Sequence, residues 1–134
     1  MEKMLEDHKK KLIRKLKQKA KNITEDDLKV LLKKASNKKM VVAKLLKAGD
    51  TMEKRMKKIW PFIKDYASGK FAEAEWKSIA ITVAGFSFLI DSSYIKIEEL
   101  PVINEFDDAI VIALILKVIK KDLDAYLTQK KVAT

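Results

Sequence analysis

The sequence predicts an all-α protein, a bundle of five or six helices around a central antiparallel hairpin of two apolar helices. Three observations carry this. Only three glycines and two prolines interrupt 134 residues, too few turn residues for a β-rich chain. The charged residues are mostly Lys and Glu and the aliphatics mostly Leu, Ile and Ala, most of which suit helices. Two long apolar stretches, Ser78 to Ile90 and the "AIVIALILKVI" run, lie on either side of a turn-rich segment. The length fits one domain, residues 1–134, divisible into basic N-terminal helices (1–50), a helical core (51–127) and a frayed tail (128–134).

Residues 2–21 read as a helix with Met4, Leu5, Leu12, Ile13 and Leu16 near one face and Lys and Arg on the other. That stripe must be hidden, against the domain or a partner, because an isolated helix of this length is marginal in water. The helix is expected to be separable, so that removing residues 1–21 leaves a cooperatively folded remainder. Thr24 is a good N-cap, and Glu25, Asp26 and Asp27 suit the first turn of a second helix reaching about Ala35. Met40 to Ala48 reads as a short third helix ended by Gly49.

A fourth helix starts near Asp50 or Thr51 and runs to about Tyr66. Pro61 lies inside it and should kink or split it. A fifth runs from about Ala72 to Ile90, with Gly85 allowing close helix approach. The segment Asp91 to Asn104 should be a loop, including the briefly alternating "SYIKIEEL". A sixth helix covers roughly Glu105 to Leu127 and should be central, since its apolar residues go nearly all the way round. Trp60, Phe62, Tyr66, Phe71, Trp76, Phe86 and Phe88 are expected to form the aromatic part of the core. A small-molecule pocket is the alternative for that cluster.

The second half resembles the YkvA-like family of small bacterial proteins, a domain of unknown function. Its signature is roughly Y-x-x-x-P-x-D-x-I-P-D-x-x-P-x-x-G-x-x-D-D between two apolar helices. The matching stretch here is "FLIDSSYIKIEELPVINEFDD", Phe88 to Asp108. Phe88 stands for the aromatic, Glu98 for the second aspartate, Pro101 for the last proline, and Asp107 and Asp108 for the closing acidic pair. Upstream, "KDYASGKF" is similar through Asp65, Tyr66, Gly69 and Phe71, with Trp76 following. Downstream, "KDLDAY" is similar through Asp122, Leu123 and Tyr126. Ser92, Tyr94, Lys96 and Ile97 replace the Pro, Asp, Ile and Pro of the centre, and Asn104 replaces its glycine. Tolerance of these losses favours a structural motif over a chemical one. The resemblance covers about residues 56–127 and implies no reaction or ligand.

Composition narrows function further. The chain has no cysteine, which excludes disulfides, thiolate metal sites and a cysteine nucleophile. One histidine, His8, rules out a multi-histidine metal site, and it is expected to be solvated or on an amphipathic face. The acids Asp91, Glu98, Glu99, Glu105, Asp107 and Asp108 could offer oxygen ligands, but their spacing matches no EF-hand loop. Asn104 as N-cap, with Glu105, Asp107 and Asp108 in the first turn, explains three of these acids as helix-end residues, each charge worth ~0.3–1 kcal/mol. No catalytic residue, metal or cofactor is expected.

The net charge of +10 divides as +9 over residues 1–50, +3 over 51–77 and −2 over 78–134. A basic first half suits an anionic partner. The leading expectation is a non-enzymatic interaction module that contacts a protein partner or an anionic membrane surface. A nucleic-acid-binding protein using the basic half ranks second, since no aromatic in that helix could stack on bases. A metal-dependent enzyme ranks last. The first residues contain no apolar signal-like core, and the longest uncharged run, thirteen residues, is short for a membrane span. A cytoplasmic place is expected, at the inner membrane face if lipid is the partner. The sequence sets no oligomeric state.

Overall fold

The computed structural model describes residues 2–35, 50–90 and 104–132. Those residues form five helices and no strand. They are α1 (Glu2–Lys21), α2 (Glu25–Ala35), α3 (Asp50–Ala67), α4 (Trp76–Ile90) and α5 (Asn104–Val132). The expected helix at residues 40–48, the 91–104 connection up to residue 103, and with it Glu98 and Pro101, lie outside the described residues.

The centre is the α4/α5 pair, as the two apolar runs predict. Its antiparallel sense follows from the contacts. Near one end Ser78 of α4 donates its hydroxyl to Asp122 of α5 at 2.6 Å. Further along, Gly85 faces Ile115 and Val111. A Cβ on Gly85 would lie 2.5 Å from Ile115 Cδ1 and 3.1 Å from Val111 Cγ1. The glycine therefore lets the two helices meet closely at the middle of the core. Residues 78–86 of α4 are all buried, so this helix has no solvent face over that length. Helix α5 is more graded: Ile110, Val111, Ile112, Leu114, Ile115 and Ile119 are buried, while Ala109 and Ala113 are exposed.

The other helices are layered on this pair. Helix α1 packs on both α4 and α5, α2 on α4, and α3 on α5. In α1 the buried residues are His8, Leu12 and Leu16, spaced at four. Leu12 and Leu16 of the apolar stripe are hidden inside the domain, and α1 is part of the core. This burial bears against the expectation that residues 1–21 are separable. Their removal would expose the α4/α5 surface that Leu12 and Leu16 cover, at ~2 kcal/mol for each such side chain.

Local chemistry explains the helix ends. Thr24 caps α2 as expected: Asp27 N–H donates to Thr24 Oγ1 at 3.3 Å, and Thr24 N–H donates to the Asp27 carboxylate at 2.8 Å. This is a reciprocal box with aspartate in place of the usual Glu or Gln. Helix α3 ends before Gly69, whose φ of +84° is the left-handed region that glycine enters without penalty. Pro61 does not split α3. Ile59 before it and Phe62 and Ile63 after it are fully buried. Their burial, ~2 kcal/mol each, outweighs the ~3 kcal/mol a helix-interior proline costs.

Helix α4 begins at Trp76, later than the expected Ala72, because residues 70–73 form a turn that buries Phe71. The tail also differs: α5 stays helical to Val132, and Lys130 lies over the Tyr126 ring at 5.6 Å. The aromatic expectation holds for Phe62, Phe71, Phe86 and Phe88, which are buried, while Trp60 and Tyr66 are half-buried and Trp76 is exposed. Phe62, Phe71 and Tyr126 form a cluster with centroids 5.2 to 6.0 Å apart, and Trp60 meets Phe86 at 5.8 Å.

The close approach at Gly85 generates a prediction. Alanine is the better helix former by ~1 kcal/mol, yet overpacking a filled core costs ~1–3 kcal/mol. Because Val111 and Ile115 are fully buried, Gly85→Ala should be destabilising by about 1 kcal/mol in urea unfolding. A gain in stability would show that the helices have slack there.

Candidate functional site

A groove of about 690 Å³, with the dimensions of a ligand site, lies between α1 and α5. This lies within the ~300–1,000 Å³ range of small-molecule sites. Its floor comes from Ile13 of α1 and from Ile110, Ala113, Leu114 and Val118 of α5. The two exposed alanines, Ala109 and Ala113, stand one turn apart and supply the space. Larger side chains there would fill the trough. The rim is charged: Lys9, Lys17, Lys77 and Lys117, with Glu6. Among the described residues no neutral hydrogen-bonding side chain lines it.

One contact sets the spacing of the groove walls. His8 of α1 and Asp107 of α5 are joined by a side-chain hydrogen bond between Nε2 and Oδ1. Both residues are 2% exposed. Their helices are brought together from positions 99 residues apart. From this contact the helices run in the same sense, since Glu6 to Lys17 of one and Ala109 to Val118 of the other line a single trough. Of the two expectations for His8, the solvated one is corrected and the amphipathic-face one holds: the histidine continues the Leu12 and Leu16 column into the core. Asp107 is likewise more than a helix-end charge. It lies in the first turn of α5 but faces inward to a partner, while Asp108 beside it is half-buried.

A second polar network sits at the opposite end of the α4/α5 pair. Asp122 accepts the Ser78 hydroxyl at 2.6 Å and the Glu75 backbone N–H at 3.1 Å. A carboxylate from α5 thus caps the start of α4, where the helix dipole favours negative charge. Nearby, Tyr126 donates its hydroxyl to Asp65 of α3 at 2.6 Å. Burial raises the Tyr126 phenol above its ordinary range, and the hydrogen bond to the Asp65 carboxylate and that group's charge raise it further. These hydrogen bonds join helices.

The motif residues therefore separate. Phe88 is buried in α4 and Asn104 stands at the start of α5. Asp107 pairs with His8. Among the described residues no three His, Asp or Glu side chains are placed to hold a metal ion. Residue-level reading missed the burial of His8, although its spacing of four from Leu12 was visible. It also missed the groove, whose signal was the pair of alanines four apart in an otherwise bulky run. Comparison with family models, with curated proteins and with solved structures finds no match.

Two outcomes test these contacts. Removing one partner of a buried hydrogen bond leaves the other unsatisfied at ~1–3 kcal/mol, so Asp107→Ala should lower stability by about 2 kcal/mol. Asp108→Ala should lower it by less than about 1 kcal/mol. Equal effects in denaturant melts would return both acids to a helix-end role. For Tyr126, the fold favours the neutral phenol. Its contribution is fully present below the unfolded value of ~10 and is lost as pH rises towards the raised folded value. The stability difference between wild type and Tyr126→Phe should therefore shrink above pH ~10. A difference that is constant with pH would contradict the raised phenol.

Proposed function

We propose that this protein is a non-enzymatic helical module that docks on an anionic membrane surface, and that it is a divergent relative of the YkvA-like family. The observation that carries the docking reading is the outer face of α1. Lys10, Arg14, Lys17 and Lys21 are exposed there, at helical spacing and opposite the buried Leu12 and Leu16. Because the apolar face of α1 is held in the core, the helix offers charge without an inserting edge. Each lysine or arginine near an anionic bilayer contributes about 1 kcal/mol. No described helix is long and apolar enough to cross a membrane, which suits contact from one side. The family reading is supported by the network above, since Asp65, Phe71, Asp122 and Tyr126 of the resembling segments meet in one place.

The test is sedimentation with vesicles rich in phosphatidylglycerol, with phosphatidylcholine vesicles and duplex DNA as parallel arms. Binding should need the anionic lipid. It should fall steeply between about 0.1 M and about 1 M salt, as the screening length shortens from ~10 Å to ~3 Å. The triple variant Lys10→Glu, Arg14→Glu, Lys21→Glu should abolish it. Salt-insensitive binding to the neutral vesicles would overturn the reading, and tighter binding to DNA would replace the membrane with a nucleic acid.

A further inference from the structure

The geometry points to the α1/α5 groove as a binding site for a long-chain fatty acid anion, with the acyl chain along the alanine floor and the carboxylate at Lys17, Lys77 and Lys117. This goes beyond surface docking and does not depend on it.

The shape of the groove is the first argument. It is a trough, not a round pocket. It runs along α5 from Ala109 to Val118, about 14 Å at ~1.5 Å per residue. Among the described residues its floor is aliphatic, with no ring to stack on and no neutral donor or acceptor to read a polar ligand. A flexible hydrocarbon chain is the occupant such a surface fits, by non-directional burial of apolar area.

The distribution of charge is the second argument. The two ends of the trough differ. At one end α1 and α5 are joined by His8 and Asp107, and the nearby rim carries Glu6 beside Lys9, which offset one another. At the other end three cations converge from three helices. Lys17 comes from α1, Lys117 from α5 and Lys77 from the first turn of α4. Lys77 belongs to this end because its neighbour Ser78 bonds Asp122, further along α5 than Lys117. An anionic group at that end and an uncharged remainder is the layout of a fatty acid. An acidic amphipathic helix would instead carry charge along its length and would meet Glu6 at the far end. Lys77 also contacts Glu75 at 3.2 Å, but this pair is exposed, so a ligand carboxylate can compete for the lysine.

The test uses the full chain and a fluorescent long-chain carboxylate, cis-parinaric acid, displaced by palmitate below its micellar concentration. Hexadecanol, the uncharged alcohol of equal length, is the comparison. Saturable one-to-one binding is expected, with palmitate displacing the probe at least tenfold better than hexadecanol. Ala113→Phe fills the trough without removing a charge and should weaken palmitate at least tenfold. Lys77→Gln with Lys117→Gln should erase the preference over hexadecanol. Circular dichroism melts confirm that each variant is folded, and Ala109→Phe serves as a second blocking variant should Ala113→Phe melt early. Equal affinity for hexadecanol, or palmitate binding unchanged in both blocking variants, would overturn the site. Failure of palmitate to bind while an acidic amphipathic peptide displaces the probe would also overturn it. Anionic-vesicle binding retained in Ala113→Phe alongside lost palmitate binding separates the groove from surface docking. Palmitate binding without vesicle binding would leave the groove standing and refute the docking reading.

Discussion

The buried hydrogen bond between His8 and Asp107 is the contact on which the rest of the functional reading depends. A lysine-rich helix of twenty residues has little reason to be ordered alone. Joined to the first turn of α5, it becomes a wall of the core. Three consequences follow from that one contact. Leu12 and Leu16 cover the central pair, so the apolar stripe of α1 is used up inside the molecule. The basic face is turned outward in a fixed direction. A trough is left beside the contact, where the alanines of α5 fail to reach α1.

The joint at the other end of the molecule is of a different kind. Asp122 holds the start of α4, and Asp65 holds Tyr126, while Phe62 and Phe71 pack around the phenol. Every one of these groups is committed to another helix. These residues fasten one helix to another. The part of the motif whose partner is described, Asp107, follows the same rule. Its aspartate is turned inward to the histidine of α1. The described surface includes lysine over the outer face of α1 and lysine around an aliphatic trough.

Much of the architecture was legible in the sequence because it rests on local rules. Thr24 as a cap, Gly69 as a helix terminator and the two apolar runs as a central hairpin all follow from propensity and periodicity. Gly85 as a point of close approach was legible for the same reason, since an unforced glycine in a helix needs a packing cause. What was not legible depends on contacts distant in sequence. Nothing local says that Asp107 meets His8 rather than solvent, and a lone histidine among lysines reads as a surface residue. Pro61 reads as a break until Ile59, Phe62 and Ile63 are seen to be buried on either side of it. The start of α4 was misplaced because its capping carboxylate, Asp122, arrives from α5. The groove is a property of two helices together, and only its alanines were visible beforehand.

Native-state hydrogen exchange across α1 tests the central claim most directly. If His8 and Asp107 make α1 part of the core, the amides of Leu12 to Leu16 should exchange only through global unfolding. Their free energies of opening, and their dependence on low denaturant, should then match those of Ile79 to Val83 in α4. Exchange of the α1 amides through a separate opening, several kcal/mol below the global value and insensitive to denaturant, would contradict the account. It would show that α1 leaves the domain by itself, and that neither a fixed basic face nor a walled groove exists.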